Sequence, residues 1–92
     1  MRKLRHVEIE RLADGSLTLR IPLTDQEARL AANAESLKRE GFEVPNEFYK
    51  WLCEKTQVYT NEIPELERKL RSASFNVMEV RGQRWLVVYL GR

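Results

Sequence analysis

The sequence is poor in the residues that form disulfides and metal sites. It has one cysteine, Cys53, and one histidine, His6. A lone cysteine cannot form an intramolecular disulfide, and one histidine with one cysteine cannot complete a zinc site. No apolar run approaches the roughly 20 residues that cross a bilayer, and the basic N-terminus lacks the apolar segment of a secretory signal. We therefore expect no metal, no membrane association and a cytoplasmic location.

Motifs for catalysis and cofactor binding are also missing. The chain has no P-loop, no GxGxxG fingerprint and no HExxH motif. His6 has only Glu8 and Glu10 as near partners on its own strand, and Cys53 falls on an apolar helical face, where a thiol packs rather than reacts. The sequence predicts a protein that is not an enzyme and that uses neither a cofactor nor a small-molecule substrate.

Composition indicates one folded domain with an uneven distribution of charge. The chain has 92 residues, 42% hydrophobic and 33% charged, which suits a single domain spanning residues 1–92. Residues 1–5 carry three basic side chains, residues 6–67 carry seven basic and thirteen acidic, and residues 68–92 carry six basic and one acidic. If folding brings the ends together, one face becomes positive, as in proteins that bind phosphate or acidic partners. The alternative is that the charges are scattered over the surface and solvated, without forming a positive face.

The first half of the chain predicts a hairpin and a helix. Apolar and polar residues alternate over residues 7–10 and 17–21, on either side of a turn at Asp14-Gly15, and Pro22 should end the second strand. A capping box at residues 24–27 begins the helix. Gly41 should end it, with Phe42 folded onto Leu37, and its buried stripe should consist of Leu30, Ala34 and Leu37 with Ala31 beside it.

The second half predicts two further helices and a second hairpin. One helix spans residues 47–56 with Asn46 as its cap, and the other spans about 62–72, with Pro64 in its first turn and Thr60 or Asn61 as its cap. Strands follow over residues 74–80 and 84–90, joined by Gly82-Gln83. The fold class is therefore α+β, in the order ββαααββ, with the helices on one face. The pattern leaves open whether the two hairpins share one sheet. The expected core is Val7, Ile9, Leu19, Leu30, Leu37, Phe48, Trp51, Leu52, Leu66, Leu70, Phe75, Val77, Leu86 and Val88.

The last helix and hairpin carry the candidate binding residues. A helix-turn-helix followed by a β-hairpin is the layout of a winged helix, whose second helix enters the major groove while the hairpin contacts the backbone. Arginines contact phosphates and can read guanine. On this hypothesis Arg68→Ala weakens binding and Lys38→Ala on the first helix does not. The predicted nucleic-acid-binding residues are Arg68, Lys69, Arg71, Ser72, Arg81, Gln83 and Arg84.

Residues 48–90 resemble a known family. “FYKWLCEKTQVYT” and “IPELERKLRSASFNVMEVRGQRWLVVYL” are similar to the winged-helix domains appended to phage and plasmid primase-helicases. The matching positions are Trp51, Leu66, Leu70, Phe75, Gly82, Arg84 and Trp85. Ser74 stands where glycine is usual, and the N-terminal hairpin has no counterpart. The resemblance implies a winged-helix-like C-terminal part and nucleic acid as the partner.

The alternative hypothesis is a protein-interaction or oligomerisation module. “WLVVYL” is apolar on both faces, so this strand is either central in its sheet or covered by a partner. Near an edge, its face of Trp85, Val87 and Tyr89 would invite pairing with another protein or with a second copy as a homodimer. Glu65 and Lys69, like Glu67 and Arg71, are four residues apart, and such pairs stabilise a helix without any ligand.

Overall fold

The computed structural model describes residues 6–91, which form four strands and three α-helices in the order ββαααββ, so the predicted fold class is confirmed. The basic residues among residues 1–5, and Arg92, lie outside the described residues. A 3₁₀ turn at Gln57–Tyr59 connects the second and third helices. The elements are β1 (Glu8–Arg11), β2 (Leu17–Leu23), α1 (Asp25–Arg39), α2 (Asn46–Lys55), α3 (Leu66–Ser72), β3 (Ser74–Val80) and β4 (Gln83–Gly91).

Both hairpins belong to one antiparallel sheet with the strand order β1-β2-β4-β3. β2 pairs with β4 from Leu17↔Gly91 to Leu23↔Arg84, with a bulge after Leu17. β4 therefore has a strand on each side, which confirms that “WLVVYL” is a central strand. This pairing answers the question that the sequence left open.

The pleat of the sheet sorts its side chains onto two faces. Leu19, Ile21, Leu86 and Val88 are fully buried on the face that the helices cover. Phe75 lies on the same face, and its ring centroid is 5.0 Å from that of Phe48 in α2. The opposite face, here called the open face, has no helix packed on it among the described residues. It carries Arg20 and Pro22 of β2, Met78 and Val80 of β3, and Trp85, Val87 and Tyr89 of β4.

The core contains most of the predicted residues. Leu30, Trp51 and Val77 are partly buried against it, as are Val7 and Ile9. Leu37, also predicted for the core, is only partly buried and lies outside this cluster. The predicted residues that are buried are Leu19, Phe48, Leu52, Leu66, Leu70, Phe75, Leu86 and Val88.

α1 has the predicted ends and part of the predicted buried stripe. The Thr24 hydroxyl accepts from the backbone N–H of Glu27 and the Glu27 side chain accepts from that of Thr24, which confirms the capping box. The buried residues are the three alanines at positions 28, 31 and 34, which confirms the predictions for Ala34 and for Ala31 beside it. Leu30 is only partly buried against the core, and Leu37 lies outside the core cluster, so Leu37 is the member of the predicted stripe that is wrong. The alanines have the spacing of one helical face, and their small side chains let the helix lie close to the sheet.

β2 continues through Pro22 to Leu23, although the sequence predicted that it ends at Pro22. β1 pairs with β2 only as far as Glu8↔Arg20, so Pro22 has a strand neighbour on one side alone, at Trp85. A residue without an N–H is tolerated there, because one side of the strand has no ladder to complete.

α3 is shorter than predicted. It has seven residues, Leu66–Ser72, and its N-cap is Glu65 in the left-handed conformation rather than Thr60 or Asn61. The segment before it winds into tight turns that place Ile63 in the core at 2% exposure. Pro64 therefore precedes the helix instead of lying in its first turn. α2 differs as well, because its N-cap is Pro45 and Asn46 is its first residue.

Glu27 joins the start of α1 to α2. Its carboxylate accepts hydrogen bonds from the Thr24 backbone N–H and from Trp51 Nε1, each at 3.0 Å, and lies 2.8 Å from Lys55 Nζ. Burial alone raises the pKa of Glu27, but the hydrogen bonds from Lys55, Thr24 and Trp51 outweigh it and lower the pKa to about 2. Glu27 is therefore ionised wherever the protein is folded at ordinary pH, and it holds the two helices together.

We expect Glu27→Gln to reduce the free energy of unfolding at pH 7 by about 1–3 kcal/mol. The folded pKa lies below the ordinary value of 4.5, so the stabilisation is present above pH 4.5 and is lost as the pH falls towards 2. Urea unfolding across pH 2–7 measures this difference. The control is Asp25→Asn, an exposed carboxylate in the same first turn. If the free energy of unfolding changes with pH in the same way for the wild type and for Glu27→Gln, the role given to Glu27 is contradicted.

Candidate nucleic-acid interface

The seven residues predicted to bind nucleic acid form two groups at opposite ends of β3. One group lies in α3, which ends just before β3 begins, and the other surrounds the turn after β3. Seven strand residues at about 3.3 Å each place the groups roughly 20 Å apart. The α3 group is Arg68, Lys69, Arg71 and Ser72, and the turn group is Arg81, Gln83 and Arg84.

The two ends of α3 border grooves of opposite charge. At its N-terminal end, a groove of about 520 Å³ has Glu54, Glu65 and Glu67 as its charged lining residues. We call it the acidic groove. At the C-terminal end, a groove of about 630 Å³ lies between α3, α2 and the end of α1. We call it the basic groove, and its lining residues are Lys38, Phe42, Glu43, Val44, Pro45, Asn46, Tyr49 and Arg71.

Arg68 belongs to the acidic end of the helix. Its Nη2 is 2.7 Å from Glu65 Oε2, and this hydrogen bond lowers the pKa of Glu65 and raises that of Arg68. Both side chains are more than half exposed, so the pair adds little to stability. The Arg68 charge is nonetheless compensated locally. Lys69, the next residue, is partly buried.

Arg71 belongs to the basic end and is held mainly by neutral groups. Its Nη2 donates to Asn46 Oδ1 at 2.9 Å, and its guanidinium carbon lies 4.9 Å from the centroid of the Tyr49 ring. The nearest carboxylate oxygen, on Glu67, is 3.9 Å away. The guanidinium is therefore fixed in position while its charge is only weakly compensated.

The residues of the turn group differ in position and in hydrogen bonding. Val80 pairs with Gln83, so the turn residues are Arg81 and Gly82 instead of the predicted Gly82-Gln83. Their φ angles of 51° and 79° are both positive, as a type I′ turn requires. Arg81 is therefore exposed at the apex, whereas the Gln83 side chain donates to the Leu23 backbone carbonyl at 3.1 Å and ties the turn to β2.

Arg84 is partly neutralised by its neighbour on β3. Its Nε lies 3.8 Å from Glu79 Oε1, and both side chains are at least half exposed. Of the turn group, Arg81 is thus the best placed to contact a ligand. Ser72 is exposed at the end of α3.

Lys38 lines the same groove as Arg71, although the sequence suggested that it lies outside the site. Its Nζ is 5.5 Å from the centroid of the Phe75 ring. Lys38, Phe42, Asn46 and Tyr49 are the site residues that sequence reasoning missed. They come from two helices and the loop between them, and their only sequence signal is the break at Gly41 that brings these segments together.

The residues of the alternative hypothesis lie on the open face. Tyr89, Met78 and Val80 are 42%, 46% and 51% exposed, and Trp85 is partly buried. Val87 is 5% exposed, although it is not part of the helix-covered core. These side chains form an apolar surface on the side of the sheet away from the helices.

The edge of the sheet beside this surface is partly blocked. β3 is an edge strand, and its Val77 backbone N–H donates to Glu35 Oε2 of α1 at 2.8 Å. An edge group that is already hydrogen-bonded cannot pair with another chain.

The chemistry of the remaining reactive groups is limited. Burial, followed by the nearby Glu67, raises the pKa of the Cys53 thiol, so Cys53 is protonated at neutral pH and is a poor nucleophile. Within residues 6–91, no three histidine, cysteine, aspartate or glutamate side chains lie together as metal ligands would. None of the helices in that range has the length and apolar character needed to cross a bilayer.

Comparison of the chain with protein-family models, with curated proteins and with solved structures gives no match. The resemblance to winged-helix domains therefore stays a prediction.

Proposed function

We propose that the protein binds nucleic acid through the basic groove at the end of α3 and through the turn at Arg81. The observation that carries the proposal is the separation of charge along α3. Three carboxylates line the groove at its N-terminal end, whereas Arg71 and Lys38 line the groove at its C-terminal end together with one carboxylate, Glu43. A phosphate backbone is repelled by the first groove and attracted by the second, so the ligand has one favoured position.

The ion pairs at the surface do not oppose this function. Exposed pairs such as Arg84–Glu79 contribute about 0–1 kcal/mol, so a phosphate can replace the carboxylate at little cost. Release of counterions from the nucleic acid then favours the exchange. Arg71 has a further advantage, because Asn46 and Tyr49 already fix its orientation and less side-chain entropy is lost on binding.

The same charges also favour the helix itself, since acidic residues at an N-terminus and basic residues at a C-terminus complement the helix dipole. If these charges only stabilise the helix, replacing them will change the stability of the protein and leave its affinity for nucleic acid unchanged. Binding measurements on folded variants therefore separate the two roles.

Arg71→Gln is expected to weaken binding of a labelled DNA duplex and to reduce the log-log salt slope by about one unit, because one phosphate contact is lost. Arg68→Gln should weaken binding less, since Glu65 already compensates that charge. Fluorescence anisotropy at two salt concentrations, from about 50 mM upwards, measures both quantities.

Arg81→Asn tests the turn, because Asn-Gly suits a type I′ turn and the substitution removes only the charge.

The matched control is Arg29→Gln. Arg29 is exposed on α1, nine residues before Lys38 and so about 13 Å from it along the helix axis. Absence of binding by the wild type at about 50 mM salt, where non-specific contacts are strong, would refute the proposal. Equal losses from Arg71→Gln and Arg29→Gln would show diffuse charge attraction without a site.

The open face supports a second candidate function, which is association of two copies of the chain. Met78, Val80 and Tyr89 are exposed next to Trp85 on this face. Arg20 on the same face is paired within the chain, with its Nε 3.5 Å from Glu8 and its Nη2 3.8 Å from Glu10. An apolar surface of this kind is typical of protein contacts.

If this face pairs, the molar mass measured by light scattering should rise with concentration from 10.9 kDa towards twice that value. Met78→Lys should keep the protein monomeric, because a charge is then placed in the contact. Val58→Lys is the control, since Val58 is equally apolar and 72% exposed but lies in the turn before α3. A constant mass of 10.9 kDa for the wild type over the whole series would exclude self-association.

A further inference from the structure

Phe42 is a large apolar side chain held in solvent by a rigid backbone. The sequence predicted that it folds onto Leu37, yet Phe42 is 64% exposed. Gly41 has φ 84°, its N–H bonds to the Lys38 carbonyl, and the Phe42 N–H bonds to the Leu37 carbonyl at 2.8 Å. These two bonds form a complete Schellman motif, so the backbone of Phe42 is fixed while its ring remains accessible.

The groove beside Phe42 combines this ring with positive charge. Lys38 and Arg71 line it together with one carboxylate, Glu43, which gives its charged residues a net charge of +1. Tyr49 and Asn46 complete the wall next to Arg71. The volume of about 630 Å³ is within the range of roughly 300–1,000 Å³ found for ligand sites.

We propose that the basic groove holds one nucleotide of a single strand, with its base stacked on Phe42 and its phosphate next to Arg71 and Lys38. This inference rests on the proposed function and adds the form of nucleic acid that the groove prefers. Proteins that bind single strands combine an aromatic stacking surface with a positive groove. A base within a duplex is already stacked on both sides and cannot present its face to Phe42.

The test compares a labelled 12-nucleotide oligothymidylate with a 12-base-pair duplex by fluorescence anisotropy. We expect Phe42→Ala to weaken oligothymidylate binding by at least about fivefold, as loss of one stacked base does, and to change duplex binding by less than about twofold. Phe42→Trp should retain single-strand binding, because it keeps an aromatic face. Val58→Ala is the matched control, since it also removes an exposed apolar side chain. Thermal unfolding of each variant checks that the fold is intact.

The outcomes separate this inference from the proposed function. Unchanged oligothymidylate affinity in Phe42→Ala, or duplex binding without oligothymidylate binding by the wild type, overturns the stacking role and leaves nucleic-acid binding in place. If Lys38→Gln weakens binding and Phe42→Ala does not, the groove contacts phosphate only, and the inference is again wrong. If the wild type binds neither probe, both proposals fail.

Discussion

The pairing of β2 with β4 is the constraint on which the other features depend. It joins a hairpin from the start of the chain to one from the end, and the segment between them has to close as a long loop. The entropic cost of such a loop rises slowly with length, so three helices can be inserted at modest cost. Because those helices all pack on one face, the sheet acquires a buried side and an open side. Both candidate binding surfaces follow from this arrangement, one among the helices and one on the bare sheet.

Local chemistry in the sequence was enough to predict the elements whose ends are set by neighbouring residues. The Thr24–Glu27 capping box and the Gly41 stop were both readable, because their hydrogen bonds join residues a few positions apart. Features that depend on contacts between distant parts of the chain could not be predicted from the sequence. The buried stripe of α1 centres on its alanines and excludes Leu37, because small side chains let the helix lie close to the sheet. α3 began later than its pattern suggested, because burial of Ile63 requires the preceding turns.

The candidate site shows the same division. The excess of basic residues after residue 67 is visible in the sequence, and Arg71, one of these residues, lines the basic groove. The partners of Arg71 could not be predicted, since Lys38 and Phe42 reach the groove only through the packing of α1 against the sheet. Gln83, also predicted to bind nucleic acid, donates to the Leu23 backbone carbonyl and so has a structural contact that the sequence did not indicate. The sequence thus indicated the charge of the surface, and the fold determines which charges act together.

The central claim is that nucleic acid binds at the basic end of α3. The most direct measurement is the change in backbone amide shifts when ¹⁵N-labelled protein is titrated with oligothymidylate and, separately, with a 12-base-pair DNA duplex. The account predicts that the largest changes fall on Lys38, Phe42, Asn46, Tyr49 and Arg71, with smaller changes near Arg81. Largest changes at Met78, Val87 and Tyr89 of the open face, or no change at any residue with either oligothymidylate or the duplex, would contradict it.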